Sequence, residues 1–390
     1  MNVLKKIGNI ILILLGAALI LICADLLTNK AANKTFNDLS EPDREAITEI
    51  CRIADCFDYD TGNETIWDVS YNPSGTGFAV IRSYGMFRGY CYVVNASLPT
   101  DIFTQKIEMP DEYSDISVYR FALCTPYLLN TVSSSFDEGT ITINNCEFSA
   151  VKYDQTSVKE NGEDSLEARI VKATFRDAVD TPDTVSRDNN IGFTMNEENI
   201  ALTGLQYRII DELLETDDQA YADELLCEYV MVRDYQASRY PDFEKQQERL
   251  ELLDGTEQHV YYNVSRNTGG EYTYFNKRAS DRITFYSAYY YICAGNYGTD
   301  VKGYFEEEHP VYSGAALCEI MDKFNMIPNW RKKLDNSSDN AFVSEYTLIK
   351  DYCSSKNYSD MTLENIQRSY NYEEVLSMAK ALVQSGESTQ

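Results

Sequence analysis

The chain has 390 residues, 44% of them hydrophobic, and a formal net charge of −28 from 62 acidic against 34 basic side chains. That composition supports one large or two moderate cores and excludes a disordered or low-complexity chain. A surface this acidic repels nucleic acid and anionic lipid at long range, so neither is an expected partner, and no basic run offsets it.

The first segment carries the topology. After Lys5 and Lys6, the run IGNIILILLGAALILICA ends at Ala24, with Asn9 its only strongly polar residue. A bilayer core needs about 20 apolar residues in a helix, which this run just supplies. Lysines before it, and no basic residue directly after it, place the N-terminus inside and the C-terminal body outside the cytoplasm. Residues 1–28 are expected to be a single-pass signal-anchor in the cell membrane; cleavage after Ala24 would instead give a secreted protein. Ile22 is too bulky for a lipoprotein signal at Cys23. Residues 29–40, polar and small, are expected as a stalk.

The other nine cysteines are an odd number, so they cannot all pair within one chain. Export permits disulfides. Their apolar surroundings and the lack of any C-x-x-C predict mostly buried free thiols, with room for one or two bridges.

From Glu41, EPDREAITEICRIADCFD has proline at a helix start and Ile47, Ile50, Ile53 and Ala54 at helical spacing. DYDTGN, 58–63, then reads as a turn, since it lacks the order and distal glutamate of a calcium loop. Between 66 and 175 the texture is β: TGFAVIRSY and GYCYVVN are short strand-like runs, and GTITINNCEFSAVKYD alternates with period two. SLEARIVKATFRDA fits helix and strand equally. The polar stretch 177–190 is the expected internal boundary. Beyond it, apolar residues recur at three- and four-residue spacing, as in helices. The predicted fold class is α+β: a β-rich α+β region over 41–190, a mostly helical region over 191–384 and a tail over 385–390.

One of these helices contains ADELLCEYVMVRDYQ. Glu228 follows Cys227 and precedes Met231 by three residues, so histidines at 227 and 231 would make H-E-x-x-H. In that motif two histidines one turn apart hold zinc, and the glutamate is general base to the metal-bound water. LLDGTEQ offers Asp254, 23 residues beyond Met231, and VYSGAAL offers Tyr312, 58 residues further on. This order resembles that of the gluzincin metallopeptidases: a zinc helix, then an E-G-type helix with the third ligand, then a Y-x-x-G-A-type helix start. The resemblance spans about Ile66 to Leu334, with Trp67-Asp68 at a strand entry, and extends to uncharacterised bacterial membrane-anchored exported proteins of this class. It implies a zincin-like helical region, with Glu228 at the general-base position and Tyr312 at that of the oxyanion-stabilising tyrosine.

The departures decide the functional expectation. Both histidine positions are replaced: Cys227 can ligate zinc, but the thioether of Met231 is a poor zinc ligand. Asp254 shortens the third ligand, and Glu257 shares its helix face better than His259 does. Cys227, Met231, Asp254 and Glu257 thus read as degenerate ligand positions, with Glu228 and Tyr312 as vestigial catalytic candidates. No metal and no cofactor are expected, zinc entering only if an activity persists. A buried Glu228 needs a partner such as Arg233, Tyr312 or water, and without one its pKa rises.

The expectation is a membrane-anchored extracellular zincin-like protein without peptidase activity that binds a peptide, glycan or protein. Two other readings stand beside it: a cell-surface hydrolase with a non-standard metal site or carboxylate pair, and a structural module unrelated to zincins. There is no G-x-S-x-G elbow and no phosphate loop. The two histidines are His259 and His309. His309, in EEEHP, reads as part of a solvated acidic loop. Thirty tyrosines, densest over 271–298, suit either a contact surface or a tyrosine-rich core.

Overall fold

A computed structural model describes residues 2–32, 34–56, 66–67, 71, 77–84, 87–131, 138–158, 165–178, 192–269, 283–295, 300–335, 343–356 and 360–387. The turn 58–63, Asp68, most of 177–190 and the tyrosine-rich 271–282 lie outside them. The chain forms two compact units, Met1–Ala178 and Val179–Gln390. The division falls inside the polar stretch 177–190.

Unit 1 begins with α1, Asn2–Ala31. Its Asn9–Ala31 segment, 23 residues, is long and apolar enough to cross a membrane and contains a largely unburied apolar window. Isoleucines and leucines from Ile7 to Ile22 lie on the surface of this helix. α2 spans Glu41–Asp55, with Pro42 in its first turn where no N–H is needed.

The strands are β1 Phe78–Tyr84, β2 Phe87–Val94, β3 Thr104–Ile107, β4 Val118–Phe121, β5 Glu138–Ile143 and β6 Cys146–Tyr153. They form one sheet in the order β3-β4-β2-β1-β6-β5. Only β1 and β6 run parallel; the other pairs are antiparallel. Asn144 and Asn145, at φ 52° and 63°, make the tight β5–β6 turn, a conformation asparagine tolerates better than most residues.

Alternation sends Ile81, Val93, Phe121 and Ile143 to one face, where they pack with Leu98 and Leu128. Arg82, Tyr92, Arg120 and Tyr153 point to the other face. There Tyr153 Oη donates to Asp43 Oδ1 of α2 at 2.6 Å, and Arg82 pairs with the same carboxylate at 3.2 Å. The last helix of the unit, α3, Leu166–Ala178, resolves the ambiguous stretch as helix. Phe175 on α3 meets Trp67 and Tyr71 edge-on, at 4.9 and 5.2 Å between ring centres.

Segment 29–40, expected as a stalk, is instead packed into the unit. Asn29 is fully buried and donates to Phe103 O at 2.8 Å. Thr35 bridges to Glu108. Buried Arg120 on β4 donates to Asn29 Oδ1 at 2.8 Å, Asn29 O at 3.0 Å and Ala32 O at 3.1 Å. It thereby places a guanidinium against the terminal carbonyls of α1, which have no partner within the helix and carry the negative end of its dipole. A buried cation with three acceptors is the physical reason the chain does not leave α1 as a free tether.

Among its described residues, unit 2 has helices joined by short connections and no strand. Its elements are α4 Glu197–Glu215, α5 Gln219–Arg239, α6 Pro241–Leu250, a π-turn Glu251–Gly255, α7 Thr256–Asn267, α8 Phe285–Cys293 and α9 Val301–Gly303. A second π-turn, Tyr304–Glu308, leads into α10 His309–Phe324, followed by α11 Trp330–Asp335, α12 Glu345–Ser354, α13 Leu363–Ser369 and α14 Tyr372–Glu387. Side chains set the starts: Asn196 caps α4, Asp218 caps α5 and Ser344 caps α12, each accepting from an N–H of the first turn. Helix α4 is buried nearly all round and packs against α5, α8 and α14. Helix α10 is the second central element, packed on the first π-turn and α7. This mixed sheet with a helical second half and an apolar N-terminal helix is the α+β class the sequence predicts.

Arg120→Met should destabilise unit 1 by about 2–4 kcal/mol, because the carbonyls it serves lose a charged donor. Denaturation of the detergent-solubilised full chain measures this, and limited proteolysis should cut faster near residue 32. Unchanged stability and cleavage would contradict the clamp.

Candidate functional site

Helix α5 carries three of the expected site residues, Cys227, Glu228 and Met231, and also Arg233, which holds unit 2 together. Cys227 is buried on the side of α5 that packs against α12. Glu228 is half-buried and accepts from Tyr370 Oη, just after α13, at 2.9 Å. Burial raises its carboxyl above the usual range, with the Tyr370 hydrogen bond opposing. Its partner is therefore Tyr370 rather than Arg233 or Tyr312. Met231 is half-buried one turn on.

The two downstream motifs do meet, at the crossing of the first π-turn and α10. A Cβ on Gly314 would lie 2.7 Å from Glu251 Cα, and one on Gly255 would lie 2.8 Å from Gly314 Cα. The two glycines thus let one backbone rest on the other. This packing accounts for the D-G and Y-S-G-A pattern without any catalytic role. Asp254 is half-buried, while Glu257 and Tyr312 are buried. Cys227, Asp254 and Glu257 are not gathered: among the described residues, no three His, Cys, Asp or Glu side chains are grouped so as to hold a metal ion.

The side chains that do converge are Arg233, Glu244, Glu251 and Ser313. Arg233 is fully buried. Its Nε donates to Glu244 Oε1 at 2.8 Å. Nη1 donates to Glu251 Oε1 at 3.0 Å and Nη2 to Glu251 Oε2 at 2.7 Å, a two-pronged pair, and Nη1 also reaches Tyr229 Oη at 3.0 Å. The ring of Tyr346 on α12 covers the guanidinium at 4.0 Å. Glu251 Oε1 also accepts from Gln247 Nε2 and Ser313 Oγ, both at 2.8 Å. A planar guanidinium suits this arrangement because it is always charged and presents donors in a fixed fork.

Further titratable groups surround the pair. Glu345 is fully buried and accepts from Cys318 Sγ at 3.8 Å. Burial lifts its pKa to about 8, and lifts that of Glu244 to about 7 against the pull of Arg233. His309 is fully buried, so it does not belong to a solvated loop as EEEHP suggested. Its Nδ1 lies 2.8 Å from Tyr207 Oη, which in turn lies 2.7 Å from Tyr304 Oη. Burial, with Arg233 nearby, lowers its pKa to about 3 and keeps the ring neutral. The acidic run before it forms the second π-turn, which delivers His309 inward. The other histidine, His259, lies 3.0 Å from Asp322 Oδ2, and Trp330 Nε1 donates to Oδ1 of that carboxylate at 3.0 Å.

Chemically, this centre is one permanent cation among three carboxylates, two of which release their protons only near neutrality or above. It is built to hold charge within a core. Compared with models of known families, with curated proteins and with solved structures, the chain matches none.

The sequence reading names Arg233 only as a partner for Glu228 and does not reach Glu244, Glu251 or Glu345. A signal was present: Tyr229, Arg233 and Gln236 place polar groups at three- and four-residue spacing inside an otherwise packed helix, and Gln247 and Glu251 do so in the next. Elsewhere, the open groove of unit 1 along α2 is lined by Arg44, Glu45, Glu49 and Arg52. Glu41 lines it as well, so three carboxylates face two guanidiniums, with Arg52 2.8 Å from Glu49.

The raised carboxyls give a pH dependence of definite sign. Glu244 and Glu345 bind their protons more tightly folded than unfolded, so stability falls as pH rises from their ordinary values toward about 7 and 8. His309, lowered to about 3, works the other way below its ordinary 6.5. Acidification from pH 8 to 6.5 should therefore raise the melting temperature, each carboxyl contributing at most about 1.4 kcal/mol per pH unit. Glu345→Gln should raise it at pH 8 and flatten the upper part of the profile. A wild-type profile that falls on acidification across this window would contradict the assignment.

Proposed function

We propose that this is a single-pass membrane protein whose body lies outside the cytoplasm and serves as a non-catalytic module for binding a peptide, glycan or protein. The observation that carries the reading is α1. A 23-residue apolar stretch leads without a tether into a helix end clamped by Arg120. An apolar helix joined rigidly to the body suits an anchor that stays in place. Lys5 and Lys6 ahead of the stretch favour the outward orientation. The strongly acidic composition favours a solvated extracytoplasmic surface and disfavours nucleic acid.

The non-catalytic part rests on unit 2. Where the motif-bearing turn and helix meet, the space is taken by the Arg233–Glu251 pair and by backbone contact at Gly255 and Gly314. Kinship with gluzincins enters the proposal only through the chain order of α5, the first π-turn and α10. Glu228, half-buried with a raised carboxyl, is the position at which a hydrolase reading would have to act.

Expression of the full chain with a C-terminal tag tests the reading. The protein should stay with the membrane through alkaline extraction, and its tag should be digested by protease added outside intact cells. Purified protein should cleave no member of a broad peptide library, with or without added zinc, and Glu228→Gln should behave as wild type. Alkaline release or a protected tag would overturn the membrane reading. Peptide cleavage lost in Glu228→Gln would establish the hydrolase instead.

A further inference from the structure

Helices α5 and α12 pack antiparallel, and three polar pairs give their register. Tyr346 Oη donates to Asp234 Oδ1 at 2.6 Å, Tyr352 Oη to Asp223 Oδ1 at 2.6 Å, and Lys356 Nζ to Asp223 Oδ2 at 2.5 Å. As the chain advances along α12, its partners retreat along α5. That register sets Cys353 opposite Cys227 across the helix pair. Cys227 is buried, while Cys353 is half-buried at the edge of the helix pair.

The surroundings separate the two sulfurs. The neighbouring Cys353 thiol holds Cys227 below the ordinary thiol range, and Lys356 pulls the same way against burial and Asp223. Cys353 moves upward, through Cys227 and through burial. Two cysteines facing each other across a helix pair, with a lysine beside them, are placed as an attacking and a resolving cysteine are. By contrast, burial pushes the thiols of Cys51 and Cys91 up to about 12, which leaves them inert.

We propose that Cys227 and Cys353 form a thiol–disulfide exchange site, which a low-molecular-weight disulfide oxidises to a cystine bridge between α5 and α12. The Cys227 thiolate attacks one sulfur of the disulfide RSSR, whose S–S bond breaks and releases RS⁻. Cys353 gives its proton to that RS⁻ and attacks Cys227 Sγ. The mixed S–S bond breaks, and the second RS⁻ takes up the proton that left Cys227. Two thiols thus lose two electrons and two protons, and RSSR becomes two RSH. The bridge fastens α12, and with it the Tyr346 ring over Arg233, onto α5. The proposal does not depend on the membrane reading, because the pair is tested in purified protein.

The experiment equilibrates the full-length protein in detergent with mixtures of oxidised and reduced glutathione. Remaining thiols are alkylated after unfolding, and the unreduced digest is read by mass spectrometry. A peptide pair joined through Cys227 and Cys353 is expected at the oxidising end, with Cys51 and Cys91 still alkylated. Cys353→Ser should stop at glutathione attached to Cys227. Recovery of Cys227 and Cys353 as separately alkylated thiols throughout, or bridged to other cysteines, would overturn the proposal. The wild-type cross-link decides the matter even if the variant fails to fold.

Discussion

The guanidinium of Arg233 is the constraint around which unit 2 is organised. A cation fully removed from water costs several kcal/mol unless carboxylates and hydrogen bonds replace its hydration. Here α6 supplies Glu244, the first π-turn supplies Glu251, α5 itself supplies Tyr229, and α12 lays Tyr346 over the charge. Each partner must reach one point, so the charge fixes how far each element is advanced and rotated. The π-turn fits this requirement: it holds Glu251 toward Arg233 while the helix backbone rests on Gly314. Apolar packing along α4 and α10 supplies bulk stability, roughly 1.5–3 kcal/mol for each fully buried large side chain. Such packing tolerates sliding more readily than a two-pronged ion pair does.

The same constraint bears on function. Arg233 and Glu251 meet each other and their neighbours, so this pair serves the packing of unit 2. Elsewhere α5 carries different chemistry: a buried Cys227 opposite Cys353 of α12, and a half-buried Glu228 under a tyrosine. Unit 1 repeats the device with another purpose. Arg120 spends its donors on the end of α1, so a helix of membrane-spanning length continues directly into a folded sheet.

Much of the architecture was legible. Alternation in GTITINNCEFSAVKYD marked strand, because side-chain periodicity is a local property, but it did not show that Asn144 and Asn145 turn the run into β5 and β6. Helix spacing marked α4, α5 and α12 for the same reason. The stalk was misread because polarity suggested solvent, whereas Asn29 spends its amide on Phe103 and Arg120, partners more than 70 residues away. His309 was misread similarly: three acids beside it suggested exposure, but a π-turn rotates the histidine inward. The site was legible only as a set of elements. The motif search identified α5, LLDG and YSGA, and the last two do cross. Which residues of α5 face that crossing depends on helix rotation, which pairwise spacing does not determine. Rotation brings in Arg233 instead of Cys227 and Met231, Glu251 instead of Asp254, and Ser313 beside Tyr312.

The account's central claim is that Arg233 and Glu251 act as one buried unit holding the helical half together. A double-mutant cycle with Arg233→Met and Glu251→Met, followed by chemical denaturation of the full chain, tests it most directly. Each single change should cost about 3–5 kcal/mol: Arg233→Met leaves Glu251 buried without its cation, and Glu251→Met leaves the buried Arg233 with Glu244 alone. The double change should cost less than the sum, with a coupling of about 2 kcal/mol or more. Losses that add independently, or single losses below about 0.5 kcal/mol as at an ordinary surface position, would contradict the account.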